Sequence, residues 1–211
     1  MTKNIRIGML SFAHMHAYSY AACLKQIPGV DLAGIADDDR ARGEEAAQRF
    51  GTRFLASAEA LLDEKLDGVV ICSENARHRA LTELAAPRTS HILCEKPIAA
   101  TLTDAQAMIA TCAAHGTRLQ IAFPVRFSPP VQRLKAILDA GTLGRVYSVK
   151  TTNHGRMPGG WFVDKKRSGG GAMIDIGIHA LDTAWFIMGC PKPVSVSGMT
   201  FTKFRHLVPR K

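Results

Sequence analysis

Several things are missing from this chain, and each absence removes a class of protein. None of its five cysteines, Cys23, Cys72, Cys94, Cys112 and Cys190, forms a C-x-x-C pair. Scattered thiols of this kind exclude a disulfide framework and a cysteine zinc site, so no metal centre is expected and a cytoplasmic setting is. No apolar run approaches the about 20 residues that span a bilayer, so no membrane partner is expected. The opening MTKNIRIGML has no apolar stretch leading to a small-residue cleavage site and does not read as a signal peptide. Aromatic residues make up 7% of the chain and are not interleaved with the basic ones. The net charge of +9 is therefore read as anion binding plus local clusters such as Lys165, Lys166 and Arg167, not as a nucleic-acid surface.

What is present is an alternation of two periods over residues 1–123. Short apolar runs at 5–10, 30–36, 68–71, 91–94 and 119–123 read as five buried strands. Helical patterns lie between them at 16–26, 39–50, 57–62, 77–86 and 103–115. Gly51 suits a left-handed helix end and Ser57 an N-cap. Thr103 and Gln106 have the spacing of a capping box. Strands alternating with helices imply βαβ units and a parallel sheet, and runs without alternation imply that both faces are covered. The expected fold is α/β, a doubly wound parallel sheet whose ligand sits at the carboxyl ends of the strands. That rule points to Ser11, Asp37, Ser73 and Glu95.

After Pro124 the pattern changes. A helix opens at Pro129 and Pro130, and alternating segments at 147–152 and 194–202 read as strands. A glycine turn at Gly169–Gly171 precedes a helix over 174–188. The division expected is 1–123 for a dinucleotide-binding domain and 124–211 for a partial substrate and oligomerisation domain of α+β type, too short in strands to complete a sheet.

A dinucleotide turn ordinarily reads G-x-G-x-x-G, because glycine permits a tight turn and close approach of the pyrophosphate. Here the same stretch is Ser11-Phe12-Ala13-His14-Met15-His16, with no glycine at all. The helix start still offers amides to a phosphate. His14 and His16 read as surface residues at that helix start, with neutral phosphate donors as the alternative. Asp37, at the end of the second strand, stands where a carboxylate binds ribose hydroxyls, or else caps the strand in competition with Asp38 and Asp39. With no arginine directly after it, Asp37 favours NAD over NADP. Lys96 lies at a strand end as an active-site group or a surface Lys-Pro turn. Asp175 and His179 are four apart, so one helix face carries both, as a proton shuttle or a solvated pair. Asp182 falls on the same side, and Trp185 reads as core.

Taken together, C-E-K-P at Cys94–Pro97, R-F at Arg126 and Phe127, G-x-L-G at Gly141–Gly144, S-G-G-G at Ser168–Gly171 and D-x-G-x-H at Asp175–His179 resemble the glucose–fructose oxidoreductase/inositol dehydrogenase (Gfo/Idh/MocA) family. The resemblance covers essentially the whole chain. It implies a Rossmann-type domain, hydride transfer between a sugar, inositol or polyol carbinol and NAD, and homo-oligomers through the C-terminal sheet in complete members. It implies that Lys96 bonds the reacting hydroxyl, that Pro97 is cis, that His179 is the general base and that Asp175 orients the sugar or the imidazole. Arg126 would join these toward substrate. The family's T-P-N-x-x-H loop matches Ser73, Asn75 and His78, with Glu74 in place of proline. Cofactor contacts are expected from Ser11, Phe12, Ala13, Asp37, Ser73, Asn75, His78, Glu95 and Lys96. Two readings stand beside the dehydrogenase. One is a cofactor-sensing or scaffold member without turnover; the other is an NAD-dependent glycosidase.

Overall fold

A computed structural model describes residues 4–153, 155 and 158–202. Six parallel strands form one sheet: β1 (Ile5–Leu10), β2 (Val30–Ala36), β3 (Phe54–Leu55), β4 (Gly68–Ile71), β5 (His91–Glu95) and β6 (Arg118–Ala122), in the order β3-β2-β1-β4-β5-β6. This is the α/β doubly wound arrangement, with the order reversing beside β1. β3 has only two residues, which is why no periodicity announced it.

Successive strand residues supply opposite faces. Leu10, Val69, Ile71 and Ile92 join the helices α3 (Ala58–Leu62), α4 (His78–Ala85) and α5 (Leu102–His115) through Leu61, Leu81 and Met108. Met9, Val70 and Cys72 turn the other way, to Ala17 and Ala21 of α1 (His16–Leu24) and Ala46 and Ala47 of α2 (Arg40–Phe50). Small alanines on α1 and α2 let these helices lie close to the sheet.

Helix ends follow local chemistry. The Asp39 and Ser57 side chains accept the amides of Arg42 and Ala60, and Gly51 closes α2 at φ 58°. The start of α5 differs from expectation. Thr101, not Thr103, is the cap and accepts the Asp104 amide. Starting two residues earlier gains helical bonds and lets Asp104 meet Arg79 at 3.1 Å.

Beyond β6 the chain forms α6 (Pro129–Asp139), a single turn α7 (Lys165–Ser168), a turn of π-helix at Met173–Gly177, and α8 (Ile178–Ile187). The expected strands at 147–152 and 194–202 do not form, and among the described residues this part is helical and irregular. Tyr147 and Val194 are 93% and 99% exposed. Period-two alternation makes a segment able to pair, but a strand exists only where a neighbour takes up its backbone groups. Trp185, expected in the core, is 40% exposed and gives its indole N–H to the Pro191 carbonyl.

Gly43 fixes how closely α2 approaches β2. A Cβ there would lie 2.4 Å from the Phe54 ring and 2.9 Å from the Asp37 Cβ. Gly43→Ala gains about 1 kcal/mol of helix propensity but overpacks this contact, which costs about 1–3 kcal/mol. We expect a net fall in stability, read as a lower thermal midpoint; a midpoint above wild type would show that α2 simply moves out.

Candidate functional site

The carboxyl ends of β1, β2, β4 and β5 meet at the point where the strand order reverses. Here Glu95 and Lys96 follow β5. The Lys96 side chain is 3% exposed, and its Nζ donates to Asp175 Oδ1 at 2.8 Å and to the Asp175 carbonyl at 2.9 Å. The Lys96–Pro97 peptide is cis, as the resemblance implies. Asp175 arrives on the π-helical turn, a departure from the regular helix expected over 174–188. Such single turns recur at functional sites. Its carboxylate engages the ammonium of Lys96 and not the imidazole of His179.

His179, one turn on, has a buried Nδ1 with no hydrogen-bond partner among the described residues. Burial first, then the nearby Lys96 charge, holds its pKa below the ordinary value. It is therefore a neutral imidazole near pH 7, able to take a proton.

Four further contacts fasten residues 161–169 over this crevice. The Trp161 indole donates to the Ala13 carbonyl at 3.0 Å, and Asn75 Nδ2 donates to the Ser168 carbonyl at 2.8 Å. Arg167 pairs with the buried carboxylate of Glu74. Gly169, at φ 78°, rests on Ala100, where a Cβ would stand 2.6 Å from that methyl. Glu74, which departs from the family's loop by replacing proline, is thus the anchor for Arg167, a role no local pattern disclosed.

The turn after β1 is built without glycine at a cost. Ser11 adopts φ 70°, the left-handed region that disfavours side chains. The expectation of free amides is only partly met. Phe12 N donates to Asp37 Oδ2 at 2.6 Å and His14 N to the Cys72 carbonyl at 2.9 Å. Ala13 N and His16 N are held by longer 3.2 Å bonds to Ser11 Oγ and His14 Nδ1. A phosphate could claim these last two amides once those side chains rotate, so the turn fits a dinucleotide by exchange of bonds.

Other residues expected at the site have partners within the protein. The Phe12 ring is in the core against Tyr18 and Phe50. Asp37 has no exposed side-chain surface. Besides the Phe12 and Asp39 amides, its two oxygens accept Arg42 Nε at 3.0 Å and Arg42 Nη2 at 2.5 Å. Its four acceptor positions are filled. The helix α2 supplies the arginine that the residue directly after Asp37 does not. Ser73 is buried, its hydroxyl on the Glu74 carbonyl, and His78 is fully buried with Nδ1 2.9 Å from the Pro97 carbonyl. His78 thus supports the turn that carries Lys96, and its buried Nε2 has no hydrogen-bond partner among the described residues. Arg126 is a clamp to α8: it grips Asp182 with Nε–Oδ2 at 2.8 Å and lies over Phe123, Trp185 and Phe186. The pair is bidentate, with Arg126 Nη2 on Asp182 Oδ1 at 2.5 Å.

His14 overturns the surface reading, whereas His16 stays half-exposed at the helix start. His14 is 2% exposed, beneath Trp161 and Phe162, and burial pushes its pKa down to about 4. His16 Nδ1 lies 3.0 Å from Glu95 Oε1, which also accepts the Tyr20 hydroxyl at 2.6 Å. Burial pushes the Glu95 carboxyl up, but these bonds and the field of His14 outweigh it, and the group stays ionised.

The sequence pattern of the oxidoreductase family with an NAD-binding Rossmann fold, Gfo/Idh/MocA, matches residues 5–123, and that of its C-terminal domain matches 131–208. The chain belongs to this family. Among similar Gfo/Idh/MocA proteins is the D-glucoside 3-dehydrogenase of Escherichia coli, 33% identical over 82% of this chain and 51% of its own. The myo-inositol 2-dehydrogenase of Thermotoga maritima is 29% identical over 88% of this chain and 55% of its own. A solved oxidoreductase from Agrobacterium radiobacter, in complex with NAD+, L-tartaric acid and magnesium, superposes with a TM-score of 0.71 at 28% identity, covering 89% of this chain and 55% of that one. The chain spans about half the length of the curated relatives it matches.

His78 gives the region a pH dependence. Burial lowers its pKa below the unfolded value of about 6.5. The folded state then binds fewer protons than the unfolded one. Stability is whole above about pH 6.5 and falls as the pH drops toward the folded pKa. His14 and His179 act in the same direction. We expect urea midpoints to fall from pH 7 to pH 5, and His78→Gln to show a shallower fall. Equal slopes for both proteins would mean that His78 is accommodated when charged.

Proposed function

We propose that the protein oxidises a carbinol of a sugar, inositol or related polyol, with NAD taking the hydride. The observation that carries this reading is the meeting of the Lys96 ammonium, the Asp175 carboxylate and the neutral His179 imidazole at the end of β5. An incoming hydroxyl would exchange with Asp175 for a bond from Lys96 Nζ. The fixed positive charge then favours the developing alkoxide. His179 accepts the hydroxyl proton, since its neutral form is the one burial favours. The bound nicotinamide supplies only the hydride acceptor. Dehydrogenase names among the relatives support the substrate class.

We read residues 1–123 as the cofactor domain and 124–211 as part of a substrate domain that pairs with a second copy in a complete protein. Among the described residues no helix is long and apolar enough to cross a membrane. Five unpaired cysteines support a reducing, cytoplasmic setting. NAD is preferred over NADP, because Arg42 and Arg77, the arginines beside the ribose end, already hold Asp37 and Asp38. A second reading, a member that senses or holds cofactor without turnover, draws on the occupied amides and carboxylate of the β1–β2 region.

Calorimetry with NAD and NADP, followed by turnover assays on a polyol panel, separates these readings. Binding without any turnover favours the sensor. Lys96→Met should lower kcat and kcat/KM together by about 10²- to 10⁴-fold while leaving cofactor affinity nearly unchanged; near-normal turnover would return Lys96 to a structural role. Arg42→Ala should release the Asp37 carboxylate and widen the preference for NAD. A shift toward NADP would show that Asp37 takes no part in ribose recognition.

A further inference from the structure

His14, His16 and Glu95 converge on one point, with one ligand atom of each within 4.8 Å of the others. We propose that they form a binding site for a divalent first-row transition metal ion of the zinc, cobalt or nickel kind. This neither uses nor depends on the dehydrogenase reading. It also departs from the expectation of no metal centre. That expectation rested on cysteine spacing, which cannot register two imidazoles and a carboxylate brought together across 79 residues of chain.

The donor set carries the assignment. Two imidazoles and one carboxylate suit zinc and its neighbours, whereas calcium and magnesium favour all-oxygen sites. Metal–ligand bonds of about 2.0–2.2 Å at ordinary angles place adjacent ligand atoms about 3–3.5 Å apart. The His16 Nδ1 to Glu95 Oε1 separation of 3.0 Å already falls there. The two imidazole rings sit edge to face with centroids 4.3 Å apart. His14 would give up its 3.2 Å bond from the His16 amide and turn its Nδ1 toward the ion. Glu95 is held for the purpose by neighbours that do not ligate. Tyr20 donates to Oε1 and the Lys96 amide to Oε2 at 3.1 Å. Such supporting bonds are the usual companions of a ligating carboxylate. The Lys96 ammonium, whose charge acts on His14, is already paired with Asp175 and does not stand unopposed against the ion. Three protein ligands leave coordination positions open, the arrangement of a site that takes an oxygen from solvent or substrate.

The test uses cobalt as the probe, on the whole chain. Visible d–d absorption during a Co²⁺ titration should saturate at one equivalent, and Zn²⁺ should displace it. His16→Ala, a change at a half-exposed position, should weaken Co²⁺ binding by at least about tenfold, since loss even of a supporting residue typically costs 10- to 100-fold. Glu95→Gln should do the same, and melting curves establish that each variant is folded. Three results would overturn the site: no saturable cobalt spectrum, unchanged affinity in folded His16→Ala, or equal displacement by Mg²⁺, which would indicate an oxygen-only site elsewhere.

Discussion

An ammonium group buried to 3% exposure cannot stand alone. The desolvation cost of a charge in a protein interior is several kcal/mol, and only a well-placed partner offsets it. For Lys96 that partner is Asp175, 79 residues further along the chain. This one requirement ties the π-helical turn to the end of β5 and decides where residues 161–187 lie. The bonds from Asn75 to Ser168 and from Trp161 to Ala13, and the seat of Gly169 on Ala100, all depend on that placement. The same pair sets the chemistry of the crevice. Burial first, and then the Lys96 charge, lowers the pKa of His179 against the opposing Asp175 carboxylate, and the ammonium is available to another oxygen only by partly releasing Asp175.

The turn after β1 shows a second constraint, the loss of glycine. Ser11 keeps the left-handed backbone that the turn geometry demands, and a side chain there is strained. The side chains introduced by the substitution then supply acceptors where a glycine turn would leave bare amides. Ser11 Oγ and His14 Nδ1 take two of them, at bond lengths longer than the common 2.9–3.0 Å. The turn is therefore self-satisfied but weakly so, and an anion with several strong acceptor oxygens could compete for it.

The sheet was legible because buried parallel strands leave continuous apolar runs, and Lys96, Asp175 and His179 were legible because motif residues sit at strand ends and on one helix face. Partners were not. Nothing local to Asp37 discloses that Arg42 will reach back from the first turn of α2, although the short β2–α2 connection makes the meeting geometrically available. His16 and Glu95 are too far apart in sequence for any spacing rule, and the aromatic cover from Trp161 and Phe162 that buries His14 comes from further still. The same blindness produced the false strands. Alternation at 147–152 and 194–202 is a property of the segment, whereas a sheet is a property of two segments.

Asp37 and Arg42 show how such a hidden partner changes a functional reading. A carboxylate at the end of β2 recognises ribose hydroxyls only if it has lone pairs to offer. Here two backbone amides and a bidentate guanidinium occupy all of them. The amide bonds are part of the fold and cannot be released without unmaking the turn after β1. The guanidinium is on a flexible stem, half-exposed, and also reaches Asp38 at 3.1 Å. Of the four bonds to Asp37, only those from Arg42 can be exchanged for ribose hydroxyls without disturbing the backbone. On the proposed reading, cofactor choice at this end would turn on where Arg42 goes when displaced. If it stays on Asp38, the pocket remains neutralised and receives an uncharged ribose. If it swings free, it presents the charge that a 2′-phosphate would seek.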